Sequence, residues 1–433
     1  MSLVYTYLVV YIAVLIIVSF VVSRKQTDED FLISGRNRGG FQIFSSKFAS
    51  AIGASYFITY TGFAYEYGLG IFAMLLGIIA GYLVFAYWAA PKIHENSKEK
   101  KFYTIGDFVY HKTRSRFAGK VSNVFSSVIL FGWLLIGVIG GAKIINDFGF
   151  LSYEFAVILT CLVVLSYILL AGFKAVILTD IVQAFVIVVL LAVVTFGIVG
   201  TGNLGELFSV RTGEVSFQVI VGFFLFGFLA IFSYSNMYQL CYAARNKKKL
   251  KHGLGLAILP VVFASALLLL IGLFMAKHVG GLDAGLVFTE ALKNFLPASL
   301  LPLSVVMFFA GIMSSADTSV YAISSHYAIP KKKALVANIR KSTVVLVVLV
   351  AIAALVFSDI VDVSLLTGGL SLLLSFPMVY LFLGGKNPNR FVGSAILGSV
   401  VMVLGFTFLG LEPIVAVIIL GGSALGLLWK GKG

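Results

Sequence analysis

The chain has 433 residues, 60% of them hydrophobic and 12% charged, and it carries a formal net charge of +14. Soluble domains run at about 45–50% apolar and about 25% charged, whereas the mean hydropathy here is +1.04. An aqueous domain of any size is thereby excluded: no polar stretch is longer than a loop, and the chain reads as an integral, all-α membrane protein.

The first apolar run, Leu3–Val22, lacks a basic leader region and a small-residue cleavage site, so it reads as a retained helix rather than a signal peptide. A membrane span needs about 20 mostly apolar residues. By that measure about thirteen candidates succeed one another, at 3–23, 42–63, 68–90, 119–145, 152–171, 174–199, 217–241, 254–276, 299–327, 343–358, 363–384, 391–410 and 412–429. The second is interrupted by Ser45, Ser46, Ser50, Gly53, Ser55, Thr59, Thr61 and Gly62, and the seventh by Gly222, Gly227, Ser233, Ser235 and Asn236. These two lie five helices apart and cross in opposite senses, the arrangement that places a transporter's binding site at the interface of two inverted halves. Gly77/Gly81 and Gly132/Gly137 instead read as small-residue packing between helices.

Basic residues alternate between loops. One set carries Arg24, Lys25, Arg36 and Arg38, then eight Lys or Arg between Lys92 and Lys120, then Lys174, Arg245–Lys251, Lys331–Lys341, Lys386, Arg390, Lys430 and Lys432. The other set holds Asp147, Glu206, Glu214, Asp283, Glu290, Asp359, Asp362 and Glu412, with only scattered bases such as Lys143, Arg211, Lys277 and Lys293. The positive-inside rule then puts the N-terminus outside and the C-terminus in the cytoplasm, and assigns the net charge to the bilayer surface rather than to nucleic acid.

The ninth run contains Gly311-Ile-Met-Ser-Ser-Ala-Asp-Thr-Ser319. Polar groups in hydrocarbon are costly unless satisfied. Ser314, Asp317 and Thr318 share one helix face at i, i+3 and i+4, and hard oxygens without Cys or His suit a small hard cation. Cys161 and Cys241 lie in apolar segments and form no metal or disulfide framework. No phosphate-binding loop, zinc-protease helix or serine elbow occurs; an enzyme or an ATP-driven pump lacks support.

Several segments, in order, resemble the sodium:solute symporter family. Asp30-Phe-Leu-Ile-Ser-Gly-Arg36 resembles its F-x-x-x-G-R segment; Phe57-Ile, Gly62-Phe-Ala-Tyr65 and Gly68-Leu69 resemble its F-I-G…G-x-A-Y…G-L stretch; Tyr103–Tyr110 resembles T-L-x-E-Y-L. Ala171-Gly-Phe-Lys-Ala-Val-Ile-Leu-Thr-Asp-Ile-Val-Gln183 is similar to G-G-x-x-A-V-x-x-T-D-x-x-Q, Tyr238-Gln239 with Ala243-Ala-Arg245 to Y-x-Q-R…A-A-K, and Ala310–Ser325 to A-x-x-M-S-T-x-x-S…S-S. The resemblance covers about residues 1–385. It implies a leucine-transporter-type fold in a single domain over 1–433: an extra helix at about 3–23, inverted five-helix repeats at about 42–199 and 217–384, and two C-terminal helices at about 391–429.

Carried over by motif, the family's sodium site falls on the carbonyls of Ala49, Ile52 and Gly311 and the hydroxyls of Ser314 and Ser315. Some members have a second site, which here would draw on Asp180, Ser314, Asp317 and Thr318. Asp180 stands six residues into its helix from Lys174, about 9 Å deep; the competing reading is a structural link to Lys174, Thr179 or Gln183. Asp317 departs from the family pattern, and with Asp180 it could hold a proton instead of an extra cation. Lys47 is also unexpected and reads as snorkelling to the cytoplasm or neutralising a carboxylate.

The substrate is expected between the two interrupted helices, against Ser55, Tyr56 and Thr59 on one and Phe226, Gly227 and Ala230 on the other. Tyr56, Leu75, Gly227 and Ala230 stand where the family's sugar transporters place polar contacts, which disfavours a sugar. The implied function is sodium-coupled symport of a small amino acid, carboxylate or compact organic cation, with Na+ as coupling ion and no organic cofactor; a monomer suffices. The alternatives are proton coupling through Asp317 and Asp180, and a non-transporting membrane sensor, which the ending at Trp429–Gly433 makes the weaker reading.

Overall fold

The computed structural model describes residues 2–24, 27–147, 149, 151–200, 207, 215–328, 335–357, 359–410, 412 and 414–429. Lys25, Glu206, Arg211, Glu214, Lys331–Lys333, Lys430 and Lys432, used above for orientation, lie outside them. The described residues are helical with short connections, and backbone pairing beyond helices is confined to an isolated bridge between Arg38 and Ala244. In hydrocarbon a helix satisfies its own backbone, which is why a chain of this composition adopts little else.

The helices run as follows: α1 Ser2–Ser23, α2 Asp28–Ile33, α3 Gly40–Ala51, α4 Ala54–Tyr67, α5 Phe72–Val84, α6 Ala90–Lys100, α7 Ile105–Thr113, α8 Arg116–Asp147 and α9 Tyr153–Val199. They continue as α10 Phe217–Leu229, α11 Ser235–Ala243, α12 Lys247–Leu256, α13 Ile258–His278, α14 Val287–Asn294, α15 Leu301–Ala328, α16 Leu335–Val356, α17 Ile360–Phe382, α18 Pro388–Leu409 and α19 Val415–Gly426. Exposed Phe185, Leu259, Phe217 and Phe408 stud the outer surface and suit it to lipid.

Each of the thirteen expected runs overlies a helix, but length and apolarity alone do not return thirteen spans. Among the described residues eight helical stretches pass that test, or nine if the bent pair of α10 and α11 is one crossing, with shorter apolar helices at Thr6–Val22, Tyr153–Ser166 and Val415–Gly426. Merged and short helices make most of the difference: the second and third runs fall together in Ser55–Lys98, and the first, fifth and thirteenth lie on the shorter helices. Gly172, at φ 55 and ψ 178, divides α9 between the fifth and sixth expected runs. Only glycine adopts that backbone at low cost, and a Cβ there would strike the Phe31 ring.

Phe31 belongs to a polar knot that explains two of the sequence motifs. Thr27 and Asp30 cap α2 reciprocally, at 3.1 and 3.3 Å. Asp30 also takes a 3.1 Å ion pair from Lys174, beside the Gly172 break. Arg36 joins Glu29 at 2.7 Å and the Phe102 carbonyl at 2.8 Å, and Tyr103 donates to Glu29 at 2.8 Å. The Tyr321 hydroxyl of α15 donates to the Phe31 and Leu32 carbonyls at 2.7 and 3.0 Å. One short segment thus links α7, α9 and α15.

Close helix approach is used where small residues predicted it. A Cβ at Gly77 or Gly81 of α5 would overlap the backbone of Phe224 or Phe228 on α10, and one at Gly132 of α8 would meet Thr367 of α17, whereas Gly137 has open space.

Burial acts to raise the Asp30 pKa, but the hydrogen bonds from Lys174 and the Thr27 amide, with the Lys174 and Arg38 charges, leave it below the ordinary carboxylate value. A depressed pKa stabilises the fold above the unfolded value of about 3.9 and is lost as pH falls through the folded value. The purified Asp30→Asn variant should unfold about 1–2 °C below wild type at neutral pH, with the gap closing on acidification below pH of about 4. A gap that stays constant in thermal-shift measurements across that range would assign the effect to packing rather than charge.

Candidate ion and substrate sites

The first break lies between α3 and α4. Ile52 (φ −103, ψ 66) leaves the helix, and Gly53 (φ −88, ψ 176) is extended before α4 begins. Two residues out of helical register free carbonyls that hydrocarbon cannot satisfy. α15 meets them: the Ser314 hydroxyl donates to the Ala49 carbonyl at 2.8 Å and to Gly311 at 3.1 Å, and Ser315 donates to Gly311 at 3.0 Å. A Cβ on Gly53 would overlap the Ser315 hydroxyl, so the glycine allows this approach. Ala49, Ile52, Gly311 and Ser314 are all buried. The structure thus brings the five residues carried over by motif to one place, with Ile52 at the turn of the break.

A second polar chamber lies behind α3. Asp180 of α9 is fully buried and its Oδ2 accepts from Ser46 at 2.5 Å. Its Oδ1 and both polar atoms of Gln183, one turn on, have no hydrogen-bond partner among the described residues. The buried Tyr11 hydroxyl of α1 faces the Gln183 amide without a well-formed hydrogen bond, and both Asp317 and Asp180 lie within electrostatic reach of it. Asp317 is likewise fully buried. Lys174 pairs with Asp30 and Thr179 bonds back to Ala175 and Val176 at 3.1 and 3.0 Å, so neither is the structural link weighed for Asp180. Thr318 spends its proton on the Ser314 and Ser315 carbonyls, each at 3.1 Å. Among the described residues no group of three or more His, Cys, Asp or Glu gathers as a metal cluster; the oxygen ligands available here are hydroxyls, carbonyls and the two buried carboxylates.

The second break follows α10. Residues 230–233 tighten into a 3₁₀ turn, Tyr234 is extended (φ −82, ψ 108), and α11 departs at 51°. The Ser126 hydroxyl of α8 donates to the Ser233 carbonyl at 3.1 Å and accepts from the Ser235 amide at 3.2 Å, so one group serves both orphans of the break. Buried His326 of α15 lies beside it, with Nδ1 2.8 Å from Ser127 Oγ and Nε2 2.7 Å from Ser235 Oγ.

Between the breaks lies a cavity of about 170 Å³, and all six expected wall residues, Ser55, Tyr56, Thr59, Phe226, Gly227 and Ala230, line it. Tyr56 stacks on Tyr60, with centroids 5.1 Å apart, and its hydroxyl lies 2.8 Å from Ser265 Oγ. Ser315 also lines the cavity, which makes it continuous with the α3–α15 cluster. Sequence reasoning missed Trp133, Tyr234 and Asn236 on this wall, and Tyr11 and Ser46 around the carboxylates. Ser46 was visible as part of the interrupted run; Tyr11, in a uniformly apolar helix, gave no signal.

A model of the Sodium:solute symporter family matches residues 31–328. The chain is similar to a sodium/pantothenate symporter of Haemophilus influenzae, 25% identical over 329 residues (70% of this chain, 66% of the relative), and to one of Escherichia coli, 26% over 197 residues (44% and 41%). It is also similar to a sodium/proline symporter of Staphylococcus aureus, 24% identical over 241 residues (53% and 46%). The matched stretches span about two thirds or less of these relatives' length. In fold it resembles a Na+-coupled sialic acid symporter, with TM-score 0.80 at 17% identity over 98% of this chain and 96% of that one. A nucleobase-cation-symport-1 family transporter gives TM-score 0.65 at 13% identity over 92% and 94%. The architecture is the leucine-transporter type, and the chain belongs to the sodium:solute symporter family.

Proposed function

We propose that this protein is a sodium-coupled symporter that moves a small solute by alternating access of the two repeats, at about 42–199 and 217–384. The observation that carries the reading is the meeting of Ala49, Gly311, Ser314 and Ser315 at a helix break that opens on the central cavity. Sodium bound there joins α3 and α4 to α15, so ion occupancy is coupled to the geometry of the cavity wall. The sodium/pantothenate and sodium/proline relatives make those two solutes the first to try. Ser314→Ala and Ser315→Ala each remove one oxygen ligand and should raise the sodium concentration for half-maximal uptake by about tenfold. Proteoliposomes whose sodium dependence matches wild type in both variants would remove this site.

The second chamber supports a role for Asp317 and Asp180 in carrying coupling charge, with Ser314 and Thr318 beside them. Two buried carboxylates within electrostatic reach of Tyr11 favour one extra cation or one shared proton; the proton-coupled reading therefore stands as the second. Asp317→Asn keeps the shape and removes the charge. The variant should translocate less charge per solute and lose part of its sodium or pH dependence. A wild-type charge-to-solute ratio with both dependences intact would make Asp317 structural.

The alternation of basic and acidic loops supports an N-terminus outside the cell membrane and a C-terminus in the cytoplasm. A single cysteine introduced near Asp283 should react with an impermeant maleimide added from outside, and one near Lys248 should not. The reverse pattern would invert the topology.

A further inference from the structure

Lys47 does not snorkel. It is 4% exposed, and its ammonium lies 4.3 Å from the Tyr82 ring centroid on α5, inside the protein. Its neighbour Ser46 turns to Asp180 on the other side of α3, so the two successive residues serve different chambers. Lys47 lines the central cavity with Tyr82, Asn236 and Ser319. Among the described residues it has neither an ion-pair partner nor a hydrogen bond.

A cation removed from water is costly, and an aromatic face compensates only part of that cost. Evolution of a buried cation without a built-in counter-charge makes sense where the counter-charge arrives with a ligand. The cavity's own carboxylate, Glu412, does not serve: it is exposed and makes no ion pair with Lys47 among the described residues. The hydroxyls and amide around Lys47 add donors on the same wall, while Phe226, Ile78 and Leu372 offer an apolar surface to the rest of a ligand.

We propose that the transported solute carries a carboxylate that seats against Lys47, with its apolar body toward Phe226. The inference rests on reading the cavity as the solute site, and it narrows the substrate class to carboxylates, removing compact organic cations without one. Lys47 makes the charge-assisted contact; Tyr82 holds the ammonium in place through its ring.

The test uses the purified full chain in sodium-containing buffer, read by fluorescence of Trp133 in the cavity wall. The probes are a panel of monocarboxylates headed by pantothenate and L-proline, each with a carboxylate-free counterpart, panthenol and L-prolinamide for those two. At least one acid should bind, with its counterpart weaker by about tenfold or more. Lys47→Gln should bring the acid down to its counterpart's level, and Lys47→Arg should keep most of the affinity; thermal unfolding of both variants checks that they fold. Binding by the counterparts alone, equal binding of the acid to Lys47→Gln and wild type, or no binding by any monocarboxylate of the panel overturns the proposal. The binding assay needs no gradient, so an acid held by Lys47 whose uptake ignores an imposed sodium gradient removes the symport reading and leaves this one.

Discussion

A backbone interruption inside hydrocarbon must be satisfied by the protein itself, and two such interruptions organise this molecule. At residues 52–53 and at 230–234, helices stop and restart within the apolar interior. Each freed group needs a donor or acceptor brought in from another helix. α15 supplies the Ser314 hydroxyl to the first break, with Ser315 packed against Gly53, and α8 supplies Ser126 to the second. His326 then ties α15 to α8 and to the start of α11, so the helices that serve the two breaks are joined to each other. The cavity is the space these unwound segments leave between them.

Charge is sorted by helix face. α3 carries Ser46 toward the Asp180 carboxylate of α9 and, one residue later, Lys47 toward the ring of Tyr82. Successive helical positions point about 100° apart, so one short helix can separate an acidic chamber from a basic spot in the cavity. That separation keeps Lys47 from neutralising Asp180, which would otherwise be the cheapest pairing in a low-dielectric interior.

The parts of the fold and site that were legible in the sequence were those where composition departs from the hydrocarbon norm. The hydroxyls and glycines of 45–62 announced a break, and the crowding of Ser314, Asp317 and Thr318 marked α15 as the helix that answers it. Gly77 and Gly81 signalled a close crossing, which α5 and α10 make. What stayed illegible depends on direction. Lys47 sits close enough to a helix end to suggest snorkelling, and only the placement of Tyr82 shows that it turns inward. Tyr11 is one aromatic in an apolar helix, and nothing local distinguishes a tyrosine facing two carboxylates from one facing lipid. The count of spans depends on where helices start and stop: Ser55–Lys98 runs on through two expected spans and Tyr153–Ser166 is short, and hydropathy alone reveals neither.

The single hydroxyl of Ser126 that both donates to Ser233 and accepts from Ser235 makes α8 a fulcrum. A lever arm such as α11 can swing only while its pivot keeps both orphaned backbone groups in contact, and a rotatable hydroxyl tolerates a change of angle better than a change of distance. Tilting of α11 about Ser126 keeps both contacts, whereas a larger excursion loses them unless α8 moves with it.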